Sequence, residues 1–136
     1  MSLLEPTRRF YEIIDMQDWA ELSNLVSPAF VAQVGSLPAM SFSEWRDGLR
    51  MFYVGFPDGH HVINEYVAEG DRVVTRCRFE GTHNGTFLGT PASGHTVSVA
   101  VIHIDRFSEG KLVEHSGVLD FLGLMQQIGA VPGGPR

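Results

Sequence analysis

Asp120 lies in the apolar run Val118-Leu119-Asp120-Phe121-Leu122-Gly123-Leu124, where a strand-like pattern gives way to a helix-like one. A carboxylate among Val, Leu and Phe loses hydration, which raises its pKa toward the range where it both takes and gives a proton near neutrality. Two readings follow. Asp120 is a general acid/base, or it is a helix N-cap, because Asp ahead of a helix accepts backbone N–H bonds at the positive end of the helix dipole. His103 is the second such residue, interrupting the apolar stretch Val97 to Ile104. An imidazole there could polarise a carbonyl oxygen, or stand as a core or subunit-interface histidine bonded to a polar neighbour.

Around these two, strand parity groups Ser116 and Val118 with Asp120 and turns His115 and Gly117 the other way. If the first group faces a cavity, Ser116 and Val118 line it, together with Val99 and Val101 of the preceding strand. Gln33 offers an amide to a carbonyl, although Gln is commonly a rim residue. Trp19, Phe30, Trp45, Phe52 and Phe56 could wall a planar ligand, and equally could be plain core. No metal site is expected: His60 and His61 are adjacent and would face opposite ways on a strand, and His83, His95 and His115 lack ligand spacing. Cys77 falls on the buried side of a strand, and no Ser sits in an elbow motif, so a nucleophilic triad is not supported.

The elements that must position these residues are legible from hydrophobic period. Phe10, Ile13, Ile14 and Met16 share one side of an opening helix, and Asp18 can cap a short second helix carrying Trp19, Leu22 and Leu25. Ser41 and Glu44 have capping-box spacing ahead of a third helix that runs to about Gly55. From His61 the period becomes two. Val73, Thr75, Cys77 and Phe79 alternate with Val74, Arg76 and Arg78, and Glu69-Gly70-Asp71 and Glu109-Gly110-Lys111 are hairpin turns, so antiparallel pairing is expected. The strand from Val97 to Ile104 is apolar on both faces and needs a second covering layer, which predicts a homodimer. The result is an α+β fold in which a curved antiparallel sheet wraps the N-terminal helices as a cone-shaped α+β barrel with an internal cavity, followed by a short C-terminal helix.

Composition bounds the rest. A chain of 136 residues with 43% hydrophobic and 19% charged residues fits one domain, expected over 1–130 with a frayed tail at 131–136. A formal charge of −6 argues against nucleic acid or an anionic membrane and for a neutral, apolar or aromatic carbonyl ligand. A single cysteine and the lack of an apolar leader or spanning segment favour a cytoplasmic setting.

Several segments carry a family resemblance: Phe56-Pro57-Asp58, Ala68 to Val74, Gly81 to Pro91, Gly110 to His115, and Asp120 with Leu122 to Gly129. In order and spacing they resemble the SnoaL-like polyketide cyclases of the nuclear-transport-factor-2-like superfamily. The resemblance implies a cone fold and an intramolecular aldol condensation that closes a ring of a polyketide without metal or organic cofactor. It also implies a proton-transferring acid at Asp120 and, by likeness to the steroid-isomerase branch, a hydrogen bond from His103 to a substrate oxygen. Ser116 stands where many members carry Trp. The superfamily also includes isomerases, epoxide hydrolases and noncatalytic small-molecule-binding domains, so these remain alternatives.

Overall fold

A computed structural model describes residues 2–133, so the final three residues of the expected tail lie outside the description. Helix α1 (Leu4–Asp15) buries Thr7, Phe10, Tyr11, Ile13 and Ile14, the three-and-four spacing of one helical face. Met16, expected on that face, is 72% exposed because the helix ends at Asp15 and the chain turns through Gln17 at a φ of 58°. Asp18 caps α2 (Trp19–Leu25) by accepting from the Glu21 N–H at 3.1 Å. Ser41 and Glu44 close a reciprocal capping box on α3 (Phe42–Gly55).

The strands are β1 (Val26–Val34), β2 (His60–Glu69), β3 (Arg72–Thr82), β4 (Thr96–Ser108) and β5 (Lys111–Leu119), with α4 (Phe121–Gln127) last. They form one sheet in the order β1-β5-β4-β3-β2. Pairing is antiparallel from β2 through β5, and the β4–β5 turn has positive φ at both Glu109 and Gly110, as a tight hairpin of primed type requires. The sheet is mixed rather than antiparallel throughout, since β1 joins β5 in parallel. A turn dictates direction only for strands it connects, and β1 reaches β5 through most of the chain.

One face of the curved sheet packs on the helices and carries the core: Val73, Cys77, Phe79, Val97, Val99, Val101 and Phe107 are all buried with Phe10, Trp45 and Phe56. Each such side chain withdrawn from water contributes on the order of 1.5–3 kcal/mol. The other face leaves Val62, Val67, Ile102, Ile104 and Val118 exposed. Among the described residues no helix is long and apolar enough to cross a membrane.

Candidate active site

Period two places His103 and Asp105 on the same inner face of β4. Cross-strand register then lines up two polar rungs. One holds Tyr66, Thr75, His103 and Gly117, and the next holds Val73, Asp105, His115 and Ala32. Tyr11 on α1 reaches both rungs from above. Gly117 makes room for the imidazole, since a Cβ there would lie 2.3 Å from His103 Cδ2 and 2.4 Å from the Ile102 carbonyl oxygen.

Asp105 and His115 are a fully enclosed pair, with His115 Nδ1 at 2.5 Å from Asp105 Oδ1. A carboxylate only accepts, so the proton of this bond sits on Nδ1 and the Nε2 edge of His115 is free of it. Tyr11 Oη lies 2.9 Å from His103 Nδ1 and 3.5 Å from Asp105 Oδ2. Its single proton serves one of the two acceptors: given to His103 Nδ1 it leaves the proton of the neutral ring on Nε2, and given to Asp105 it lets His103 Nδ1–H donate to Tyr11 Oη. Burial first, and the neighbouring His115 and His61 second, hold the His103 pKa well below its ordinary value. His103 is therefore a neutral imidazole, with an Nε2–H donor when Tyr11 donates to its Nδ1. Burial and then Asp105 push the Tyr11 hydroxyl well above the usual phenol range, so it stays protonated.

The surroundings are aromatic. Phe10 and Trp45 stack at 6.0 Å and 9°, and the His115 ring lies 5.2 Å from Trp45, 5.5 Å from Phe10 and 4.3 Å from His103 between centroids. Phe30 packs on Trp45 at 5.0 Å. His103 is only half-buried, unlike Asp105 and His115. On the same rung the hydroxyls of Tyr66 and Thr75 are sealed without a hydrogen-bond partner among the described residues. These groups have bonding capacity to spare beside His103. Chemically, an imidazole oriented by a carboxylate can act as a base, and a neutral imidazole beside it can donate a hydrogen bond to an oxyanion.

Several expected ligand residues lie elsewhere. Asp120 is exposed, and its Oδ1 accepts the Gly123 N–H at 2.9 Å as the N-cap of α4. Ser116 and Val118 do share a face with it, but that face is the outer one. Their partners across the ladder are Ile104 and Ile102, both exposed. Gln33, paired with Ser116, is exposed on the same side and donates its amide to the Leu37 carbonyl. Phe56, fully buried, and Phe52 belong to an aromatic cluster with Phe79 and Phe87 that meets the two rungs through His61, and Trp19 rests on Tyr53. Of the expected wall, Phe30, Trp45, Val99 and Val101 lie on the inner side.

Asp105, His115 and Tyr11 were not singled out by sequence. The two-residue spacing of His103 and Asp105 was the available signal, and the partner of Asp105 was hidden by a bulge. The β4–β5 register shifts by one residue at Arg106/Phe107, so counting outward from the turn pairs Asp105 with Glu114 and turns His115 away. As a cap, Asp120 makes a simple prediction: Asp120→Ala lowers stability by about 1 kcal/mol and Asp120→Asn by much less. Urea denaturation of both variants checks this.

An open groove of about 760 Å³ lies away from the cluster, lined by Asp58, His60, Glu80, His95, Ser98 and Gln127 among others. It shares no residue with the two rungs. Among the described residues no three His, Cys, Asp or Glu side chains are grouped so as to hold a metal ion.

Comparison with known proteins bears on this arrangement. The description SnoaL-like polyketide cyclase fits residues 5–128. Aklanonic acid methyl ester cyclase DnrD of Streptomyces peucetius is 35% identical over 77 residues, 57% of this chain and 53% of that protein. Its counterpart DauD of Streptomyces sp. strain C5 is 34% identical over 64 residues, 47% of this chain and 40% of that one. The matches thus span about half the length of these curated relatives or less. Among solved structures, AclR from Streptomyces galilaeus, for which a hydroxylase role is suggested, superposes with a TM-score of 0.88 at 26% identity, covering 99% of this chain and 87% of that one. TsrD from Streptomyces laurentii gives 0.81 at 27% identity over 95% and 96%. With the family match running through all four helices and five strands, the chain belongs to the SnoaL-like polyketide cyclase family.

Proposed function

We propose that the protein closes a ring of an aromatic polyketide by intramolecular aldol condensation, with His115 as base and His103 as oxyanion donor. The observation that carries this is the enclosed His115–Asp105 pair beside the Tyr11–His103 pair, inside an aromatic wall. A β-dicarbonyl substrate has an acidic C–H. His115 Nε2 takes that proton, the second carbonyl of the substrate spreads the enolate charge, and the enolate carbon attacks the carbonyl whose oxygen accepts from His103 Nε2–H. Orientation of a folded chain by Phe10, Phe30 and Trp45 lowers the entropic part of the barrier.

Aklanonic acid methyl ester, the substrate in the names of two relatives, is the compound to test. The expected result is an isomer of unchanged mass and new chromatographic retention. Capture of the ester with no product would replace this reading by a noncatalytic binding domain.

The exposed outer face of the sheet is proposed to be covered by a second copy of the chain. Ile102, Ile104 and Val118 form its apolar centre, flanked by Arg76 and Arg78 from β3 and Glu65 from β2. A dimer is expected by analytical ultracentrifugation at micromolar concentration, with Ile102→Glu shifting it to monomer; a monomeric wild type would remove the proposal.

A further inference from the structure

Asp15 is the last residue of α1, whose last turn carries no basic side chain. A carboxylate is disfavoured at the negative end of a helix dipole. Three donors nevertheless converge on it: the His61 backbone N–H at 2.8 Å, His61 Nδ1 at 2.7 Å and Tyr53 Oη at 2.7 Å. The His61 side chain is 9% exposed and faces inward. Its ring lies 5.0 Å from Tyr11, 5.6 Å from Phe79 and 6.4 Å from His103. With Nδ1 on Asp15, no hydrogen bond among the described residues engages His61 Nε2, as in His115.

The interior therefore holds two carboxylate-oriented imidazoles, one on each side of His103, at centroid distances of 4.3 Å for His115 and 6.4 Å for His61. We infer that His61, held by Asp15 and Tyr53, is a second catalytic group that delivers the proton to the new alkoxide. This rests on the aldol reading above. An aldol closure needs one proton removed from carbon and one given to oxygen, and a single imidazole would have to travel between the two atoms. With two, each transfer has its own group. The C–H bond breaks with its proton on His115 Nε2 and its electron pair in the enolate. The C–C bond forms as the carbonyl π pair moves to oxygen. His61 enters the cycle as the imidazolium with Nδ1–H on Asp15; the O–H bond forms from its Nε2–H, whose pair stays on nitrogen to leave the neutral ring, and solvent then returns one proton from His115 to His61.

The test is made in D₂O with aklanonic acid methyl ester. His61→Gln is expected to keep deuterium wash-in at the acidic carbon of recovered ester while ring closure falls about 10²-fold, whereas His115→Gln loses both. Ring closure at the wild-type rate in His61→Gln, or wash-in lost as completely as in His115→Gln, overturns the assignment. If His61→Gln does not fold, Asp15→Asn is held to the same two outcomes. A second readout needs no turnover: saturating the wild type with the ester should move the imidazole ¹⁵N resonance of His61 Nε2, and an unmoved resonance overturns the assignment. A wild type that shifts this resonance but forms no product removes the aldol reading and leaves His61 as a ligand contact.

Discussion

Asp105→Asn is expected to lower the rate of ring closure by about 10²–10⁴-fold, the usual range for a general base. Asparagine keeps the shape and can still accept from His115 Nδ1, but it carries no charge to stabilise the imidazolium formed when His115 takes a proton. The bond at 2.5 Å joins two buried side chains, and there that charge matters most, because little water is at hand to replace it. Asp105→Ala adds a structural penalty: it leaves the buried His115 Nδ1–H without an acceptor, which costs about 1–3 kcal/mol. Initial rates and urea denaturation on both variants separate the two effects. Wild-type turnover in Asp105→Asn would take the base role away from this pair.

Stability should fall as the pH drops below about 6.5, with a slope approaching 1.4 kcal/mol per pH unit from His103 alone. The ring is held neutral in the fold, its pKa lowered by burial and then by His115 and His61. In the unfolded chain it titrates near 6.5. Below that value the unfolded state binds a proton that the folded state refuses, so the equilibrium moves toward unfolding. The contribution is present above the unfolded pKa and is lost as the pH falls toward the folded one. Carboxylates act lower on the scale. Asp58, held below its ordinary range chiefly by the Thr82 backbone N–H, gives up its contribution near pH 4 and beneath. Urea midpoints from pH 7.5 to 5 should show the slope in the wild type and its loss in His103→Gln; an equal slope in both would assign it to other groups.

The elements were legible because each has a local cause. The cap at Asp18, the capping box at Ser41 and Glu44, the alternation through Val73 to Phe79 and the turns at Gly70 and Glu109-Gly110 depend on neighbours within a few residues, and each appears where its residues call for it. Asp120 shows the limit of such reasoning. Its apolar neighbours in sequence are not its neighbours in space, since Val118, Phe121 and Leu122 are themselves exposed, and the costly burial that argued for a proton-transfer role does not occur.

What the sequence determined by itself was the family, the order of helices and strands, and the pairing of Ser116 with Val118 on one face. Which face looks inward was decided by tertiary structure. Alternation with period two is symmetric between faces, and one extra residue in the β4–β5 ladder is enough to carry His115 inward to Asp105 and to leave Ser116 and Val118 on the outer face. The meeting of Tyr11 with His103, 92 residues apart, and of Asp15 with His61, 46 apart, likewise depends on how α1 packs on the sheet. No local propensity encodes such contacts, because they arise only when the apolar face of the helix and the inner face of the sheet are buried together.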